Sequence, residues 1–214
     1  GCGKFEEPRD DRFYYIGVDL GRVQDFSVIT VIDSKTFNVV YWEKFKDIDY
    51  VFQKKRILAV IRRYGSDHTK TIVDQTGLGQ PIVDDLQRES INVEGLVLTN
   101  TSKKDLIENL SIMMQQRKIQ YPASLTDLIS ELQVFSYKMS ETDRIQYSAP
   151  SGYHDDAVIS LALACWSLKD YSPVFGRDPE MTQTDLVKES SKAEINGLFS
   201  REEKVPYIRP YNIM

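Results

Sequence analysis

The sequence has few of the residues that build disulfide, thiolate or nucleophilic sites. Its 214 residues include only two cysteines and two histidines. Two cysteines are too few for a disulfide framework or a cysteine-rich zinc site, and their scarcity fits a reducing, intracellular setting. The sequence also offers no candidate for a Ser-His-Asp triad. Chemistry, if present, has to come from other side chains.

Long apolar runs and excess positive charge are also lacking. No apolar run approaches the roughly 20 residues that a membrane-spanning helix needs, so no membrane contact is predicted. The net charge of −5 argues against strong autonomous nucleic-acid binding, which needs a basic surface that releases counterions. Any nucleic acid must be held locally or delivered by a partner.

Composition divides the chain into one domain and two tails. Residues 1–13 are polar, lack periodicity and begin with Gly rather than Met, so we interpret them as a linker from a preceding domain. Residues 14–170 carry the periodic apolar pattern of a folded domain. Residues 171–214 are poor in apolar side chains and are predicted to form a loosely packed C-terminal tail.

The apolar pattern predicts an α/β fold. Three β-rich runs, 14–21, 26–33 and 37–45, come first and are separated by short links, which favours three antiparallel strands. Strands then alternate with helices, which implies parallel additions to the same sheet. Further predicted elements are helices 49–64, 81–89, 103–116 (capped by Thr101 or Ser102), 125–135 and 153–168, a short strand within 70–79 that ends at Asp74, a strand at 93–98, and a hairpin of 136–139 and 144–148.

Four acids stand at the ends of these elements. Asp19 closes the first strand, Asp74 closes the fourth, and Asp155 and Asp156 open the last helix. Each has an ordinary explanation, because Asp favours turns before Gly and acids at a helix N-terminus gain about 0.3–1 kcal/mol from the helix dipole. Neither explanation accounts for all four acids together.

Converging carboxylates indicate a divalent metal site. Hard oxygen ligands suit Mg²⁺ or Mn²⁺. Two such ions roughly 3.5–4 Å apart can activate water and stabilise the leaving oxygen of a phosphodiester, so no protein nucleophile is required. His154 can assist or order the site, although it also suits a plain position at the start of a helix.

The ordered motifs IGVDLG, IVDQTGLG and YHDDAVISLALA resemble the nuclease domain of tailed-phage terminase large subunits, which has an RNase H-like (retroviral integrase) fold. The resemblance covers about residues 14–169. It implies that Asp19, Asp74 and Asp155 are the catalytic, metal-binding acids and that Asp156 is an accessory ligand. It also implies that the predicted hairpin lies near the cleavage site.

The same resemblance implies an endonuclease that cuts double-stranded viral DNA during packaging, in the cytoplasm of an infected bacterium. Its expected partners are an N-terminal ATPase motor domain in the same polypeptide, the portal and the small terminase subunit. We expect weak, salt-sensitive contacts to DNA from local basic residues, namely Lys103, Lys104, Lys138 and Arg144.

Three other functions fit parts of the pattern. DLG and DQTGLG also resemble the phosphate loops of actin-like and sugar-kinase ATPases, although those proteins need two lobes and this chain offers one. A junction resolvase or transposase of the same fold would share the chemistry and differ in its DNA substrate. A catalytically silent interaction domain is the third alternative.

Helix geometry predicts an order within the acid pair. Neighbouring helical residues point about 100° apart, so Asp155 and Asp156 cannot face one point in the same way. Asp155 heads an apolar row that is expected to lie against the sheet, namely Val158, Ala162 and Cys165, whereas Asp156 heads the mixed row Ser160, Leu163 and Ser167. Asp155→Asn is therefore expected to abolish cleavage, and Asp156→Asn to leave activity that extra metal partly recovers.

Overall fold

A mixed β-sheet with helices on both faces forms the centre of the protein. This computed structural model describes residues 2–4, 6–21, 25–77, 79–89, 91–139, 145–148 and 154–168, with the backbone alone at 2–4, 136–139 and 145–148. The strands are β1 (Cys2–Lys4), β2 (Tyr14–Asp19), β3 (Ser27–Asp33), β4 (Val39–Phe45), β5 (Thr69–Asp74), β6 (Val93–Leu96), β7 (Ser136–Met139) and β8 (Ile145–Ser148). The helices are α1 (Tyr50–Tyr64), α2 (Gly79–Arg88), α3 (Asn100–Gln115), α4 (Thr126–Val134) and α5 (Asp156–Trp166), with a 3₁₀ turn at Ser66–His68.

The strand order of the main sheet, as far as the structure describes it, is β1-β4-β3-β2-β5-β6. β1, β4, β3 and β2 pair antiparallel, whereas β2, β5 and β6 pair in parallel. The predicted three antiparallel strands with parallel additions are therefore confirmed. β7 and β8 pair antiparallel as a separate unit, as predicted, while the connecting residues 140–144 lie outside the described residues.

The segment interpreted as a linker contributes backbone to the sheet. Residues 2–4 form the edge strand β1, which pairs with residues 41–43 of β4. The proposed domain limits remain predictions, and residues 171–214 lie outside the described part of the chain. None of the five described helices is both long and apolar enough to cross a membrane.

Two hydrophobic clusters cover the two faces of the sheet. One joins apolar residues of β2, β3 and β4 to α1 and α2, and it includes Ile16, Val18, Ile57 and Ile82. The other packs α3, α4 and α5 on the opposite face and includes the fully buried Leu106, Leu128 and Leu161. Because both faces of β2 are covered, the strand is a continuous apolar run rather than an alternating one.

Helix α5 packs directly on β2 because small residues allow the two backbones to approach. A Cβ built on Gly17 would lie 2.1 Å from the carbonyl oxygen of Ser160 and 2.3 Å from the backbone nitrogen of Ala164. The Ser160 hydroxyl donates to the Gly17 carbonyl at 2.9 Å, and its oxygen lies 2.8 Å from Thr30 Oγ1. This contact holds the middle of α5 against β2.

All five helices are present, but each begins one to three residues from its predicted start, and the largest differences are at α3 and α5. α3 begins at Asn100 and is capped by Thr99 in a capping box with Ser102, so the predicted start at Lys103 and caps at Thr101 or Ser102 were wrong. α5 begins at Asp156, and Asp155 occupies the cap position with φ −125°. Apolar periodicity locates a helix face but does not show which polar residue ends it.

Candidate active site

Asp19 and Asp74 lie at the same end of two neighbouring strands. Each is the last residue of its strand, and the residues before them, Val18 and Val73, pair across the parallel β2–β5 ladder. Because parallel strands end at the same edge of a sheet, both carboxylates leave the sheet together. The structure thus brings these two predicted acids into one site.

Asp19 is only 9% exposed. Burial raises the pKa of its carboxyl well above the ordinary value of 3.8, and the negative charges of Asp74, Asp156 and Asp155 raise it further. The Lys103 ammonium opposes this rise. A buried carboxylate among other acids is costly to ionise unless a cation balances it, so this edge of the sheet favours positive charge.

A tight turn fixes Asp74. The backbone N–H of Thr76 donates to Asp74 Oδ1 at 2.8 Å, and Gly77 follows with φ +76°, a conformation that glycine adopts without strain. Burial raises the pKa of Asp74, while the hydrogen bonds from Thr76 and the charge of Lys103 lower it. The DQTG segment therefore holds a carboxylate at the end of β5.

The two acids at the start of α5 have different surroundings. Asp155 Oδ2 accepts a hydrogen bond from the Lys103 ammonium at 2.8 Å. Asp156 is the more buried of the two, and burial followed by the charge of Glu131 raises its pKa to about 6. Asp155 is thus engaged by a cation, whereas Asp156 is held in an environment that disfavours its negative charge.

The predicted helix face is wrong. Ser160, in the row headed by Asp156, is the residue that contacts Gly17 on the sheet. Val158, in the row assigned to Asp155, instead borders a small space lined by residues of α3 and α4, and the Cys165 carbonyl accepts from Asn109 of α3 at 3.2 Å. The prediction assumed that the most apolar row of α5 faces the sheet. Small and polar residues can instead lie closest to a sheet, because they allow the helix backbone to approach it.

His154 lies at the rim of the site. Its side chain is 57% exposed, and Nδ1 is 3.5 Å from Asp156 Oδ2. Its ring packs edge-on against Phe26 with centroids 5.2 Å apart, and the Lys44 and Lys46 ammonium groups lie 4.4 and 5.3 Å from the Phe26 centroid. The protein therefore places aromatic and basic side chains immediately beside the acids.

Sequence reasoning missed Glu131. This buried α4 residue accepts from Lys44 Nζ at 2.6 Å through Oε1 and from the Ala157 backbone N–H at 2.7 Å through Oε2. Its charge also helps to raise the pKa of Asp156. In the sequence Glu131 looks like any acid on an amphipathic helix, and its pairing with Lys44 joins residues 87 positions apart.

The four predicted DNA-contacting residues separate in the structure. Lys103 points into the acid site, while Lys104 forms a surface pair with Glu108 at 3.6 Å. Lys138 belongs to β7, of which only the backbone is described, and Arg144 lies outside the described residues. The structure therefore supports a distinct position for Lys103 alone.

The acids offer the oxygen ligands that Mg²⁺ and Mn²⁺ prefer. Asp156 Oδ2 is buried and accepts no hydrogen bond from the described residues, which is the chemistry expected of an atom that meets a cation. Among those residues, however, no three Asp, Glu, His or Cys side chains are close enough to hold a metal ion. In this structure Asp155 is paired with Lys103.

Comparison with known proteins agrees with this geometry. The family described as terminase RNaseH-like domain matches residues 16–167. This chain belongs to that family. The match covers β3 to β8, most of β2 and all five helices, so the predicted resemblance and the RNase H-like fold are both confirmed.

Individual relatives place the match in terminase nuclease domains. The terminase large subunit of Thermus virus P23-45 is 33% identical over 174 residues, which are 81% of this chain and 34% of that protein. The large terminase nuclease of phage G20c, solved with bound magnesium, is 33% identical with a TM-score of 0.68, covering 75% of this chain and 84% of that one. The Thermus phage P74-26 large terminase nuclease domain is 31% identical with a TM-score of 0.67, covering 76% and 83%.

The chain thus spans about a third of the curated relatives that it matches and most of their isolated nuclease domains. It corresponds to the nuclease domain of a terminase large subunit. The family match over residues 16–167 favours a terminase nuclease domain over the resolvase and transposase alternatives of the same fold. It also favours it over the actin-like and sugar-kinase alternative, which resembled only the DLG and DQTGLG motifs.

Proposed function

We propose that this terminase domain is a divalent-metal-dependent endonuclease that cleaves double-stranded viral DNA during genome packaging. The observation that carries the proposal is the position of these acids. Asp19 and Asp74 end two neighbouring parallel strands, and the charges of Asp74 and of the two acids of α5 raise the pKa of the buried Asp19 carboxyl. A buried carboxyl surrounded by other acids is typical of sites that bind cations.

The proposed ligands are Asp19, Asp74 and Asp155 as catalytic acids, with Asp156 as an additional metal ligand. Mg²⁺ or Mn²⁺, in two sites, would supply an activated water and stabilise the leaving oxygen. The G20c nuclease has been solved with magnesium and with cobalt bound, which supports a divalent site in this domain. His154 is exposed at the rim of the site, with Nδ1 3.5 Å from Asp156 Oδ2. It is suited to hold that carboxylate, or a nearby group that carries a proton, in position.

The protein's own residues position the reaction. The Asp19 and Asp74 carboxylates are fixed by a central sheet and a hydrogen-bonded turn, so they change little when substrate arrives. Lys44, Lys46 and His154 surround Phe26 beside the acids. Lys44 is held by Glu131, so Lys46 and the exposed His154 are the groups suited to contact a phosphate backbone without reading base sequence.

The wider setting is also part of the proposal. We expect double-stranded DNA as substrate, an N-terminal ATPase motor domain in the same polypeptide, and the portal and small terminase subunit as partners in the host cytoplasm. Because the chain carries a net charge of −5, its own DNA binding should be weak and salt-sensitive, with Lys103, Lys104, Lys138 and Arg144 as candidate contacts. A complex that survives high salt would contradict this expectation.

The test is cleavage of supercoiled plasmid by the 214-residue chain over a titration of Mg²⁺ and of Mn²⁺. We expect nicked and linear products that EDTA abolishes, with little sequence preference. Asp74→Asn should abolish them. The matched control is Asp67→Asn, the same substitution at an exposed position just before β5 begins, at the opposite end of the strand. Intact plasmid at every concentration of both metals would overturn the proposal.

A further inference from the structure

Lys103 is the basic residue that the fold inserts among the acids. The capping box of Thr99 and Ser102 starts α3, and the Lys103 backbone N–H donates to the Thr99 carbonyl at 2.9 Å. This places Lys103 in the first turn, with its ammonium 2.8 Å from Asp155 Oδ2. The next residue, Lys104, pairs along the helix with Glu108, so the position of Lys103 is specific to one helix face.

The ammonium acts on more than its direct partner. It opposes the rise in the pKa of both Asp19 and Asp74, so its positive charge is felt by both acids that close the two strands. A single ammonium therefore provides part of the positive charge that this site requires. A divalent ion bound to the same carboxylates would meet that charge at close range and be repelled by it.

The ion pair between Lys103 and Asp155 is exposed enough to solvent to break and re-form. The side chains of Lys103 and Asp155 are 26% and 27% exposed, and lysine carries its charge on a flexible four-carbon stem. Nζ can therefore leave Asp155 without disturbing the core. By contrast, the buried Lys44–Glu131 pair has both side chains less than a tenth exposed, so it cannot exchange in this way.

We propose that Lys103 is an internal competitor of the divalent metal. It occupies Asp155 while metal is absent, and metal loading requires its ammonium to leave that carboxylate. Lys103 is thus a positioning residue that controls when Asp155 becomes a ligand. The inference rests on the proposed metal-dependent function, and it assigns to Lys103 a role other than a simple DNA contact.

The test is Mn²⁺ binding by the full chain without DNA, measured by isothermal titration and by the loss of the free Mn²⁺ signal in electron paramagnetic resonance. Lys103→Gln and Lys103→Met should both bind Mn²⁺ more tightly, by about tenfold, which corresponds to about 1.4 kcal/mol. Lys104→Gln is the matched control, since it removes the same charge from the neighbouring position and should leave Mn²⁺ affinity unchanged.

The sign of the change decides the proposal. If Lys103 merely holds Asp155 in place for the metal, its removal weakens Mn²⁺ binding, and if it only contacts DNA, affinity does not change; either result overturns the proposal. In an Asp155→Asn background, adding Lys103→Gln should have a much smaller effect, because competition acts through that carboxylate. An equal effect in both backgrounds would also overturn it.

The same measurements distinguish the competitor role of Lys103 from the proposed function. Tight Mn²⁺ binding by wild type with no gain in the Lys103 variants overturns the competitor role and leaves the metal-dependent function standing. Absence of Mn²⁺ binding in wild type and in both Lys103 variants overturns the two together, because no metal then competes for Asp155. Unfolding temperatures of the variants in EDTA identify any loss of affinity that comes from misfolding.

Discussion

The Glu131 carboxylate accepts the backbone N–H of Ala157 at 2.7 Å, and this hydrogen bond joins α4 to the first turn of α5. The Asp155 side chain, at the cap position, makes no capping hydrogen bond to its own helix. Glu131 thus satisfies a helix-end donor that the local sequence leaves without a cap. Asp155 is left available for Lys103, and Asp156 begins the helix beside Asp19.

Glu131→Ala should destabilise the protein by about 3–5 kcal/mol, because it leaves the buried Lys44 ammonium uncompensated. It also removes the acceptor of the Ala157 N–H. Urea unfolding monitored by circular dichroism measures the loss. The double variant Lys44→Met with Glu131→Gln should recover most of it, since no charge remains buried and the Gln carbonyl can still accept from Ala157. No recovery would show that the ion pair itself stabilises the fold.

Gly17→Ala should lower the free energy of unfolding by about 1–3 kcal/mol or more, because the new methyl group meets the backbone of α5. Ser160→Ala is the comparison: it removes the hydroxyl that bonds the Gly17 carbonyl without creating a clash, and should cost about 1 kcal/mol. Chemical denaturation of both variants shows whether Gly17→Ala loses more unfolding free energy than Ser160→Ala. An unaffected Gly17→Ala would mean that α5 does not approach β2 this closely.

Asp156→Asn should reduce cleavage at least as strongly as Asp155→Asn. The opposite order was predicted from the helix rows, but the row headed by Asp156 is the one that contacts β2. The charge of Asp156 also acts on Asp19 more strongly than that of Asp155. Plasmid cleavage by both variants across a Mg²⁺ titration compares them directly. If only Asp155→Asn is inactive, the order predicted from the sequence stands despite its wrong helix face.

Stability should fall as the pH rises from about 4 to about 6 in EDTA, in part through Asp156. Its pKa is raised from 3.8 to about 6, so between these values the folded state binds a proton that the unfolded state has lost. This contribution to stability is complete below 3.8 and is lost as the pH passes the folded pKa. Unfolding temperatures measured across this range should decline less steeply in Asp156→Asn. Part of the fall in stability with pH should remain in that variant, because the pKa values of Asp19 and Asp74 are also raised.

Divalent metal should reverse that decline. Above about pH 6 the Asp156 carboxylate is ionised in the folded state at a cost, and a bound cation removes the cost, so Mg²⁺ should raise the unfolding temperature more at about pH 7 than at about pH 5. The Asp67→Asn variant, measured with Mg²⁺ at the same two pH values, is the control for the loss of an acid outside the site. An equal increase in unfolding temperature at both pH values would contradict this coupling between metal binding and the Asp156 proton.

Much of the architecture could be predicted from the sequence because its causes are local. Apolar runs such as 14–19 form strands, their order and short links favour antiparallel pairing, and alternation with helices favours parallel additions. A strand that ends in Asp carries its carboxylate to the sheet edge, so the place of Asp19 and Asp74 at the ends of two strands could be predicted from the sequence. Their role as metal ligands remains a prediction.

Which side chains meet depends on how the helices and strands pack in three dimensions. The face of α5 that packs on β2 depends on the absence of a side chain at Gly17, and the cap of α5 comes from Glu131 on another helix. The position of Lys103 against Asp155 joins residues 52 apart in sequence. Periodicity reports which residues are apolar, whereas close approach, capping across helices and ion pairs depend on distances that arise when the elements pack together.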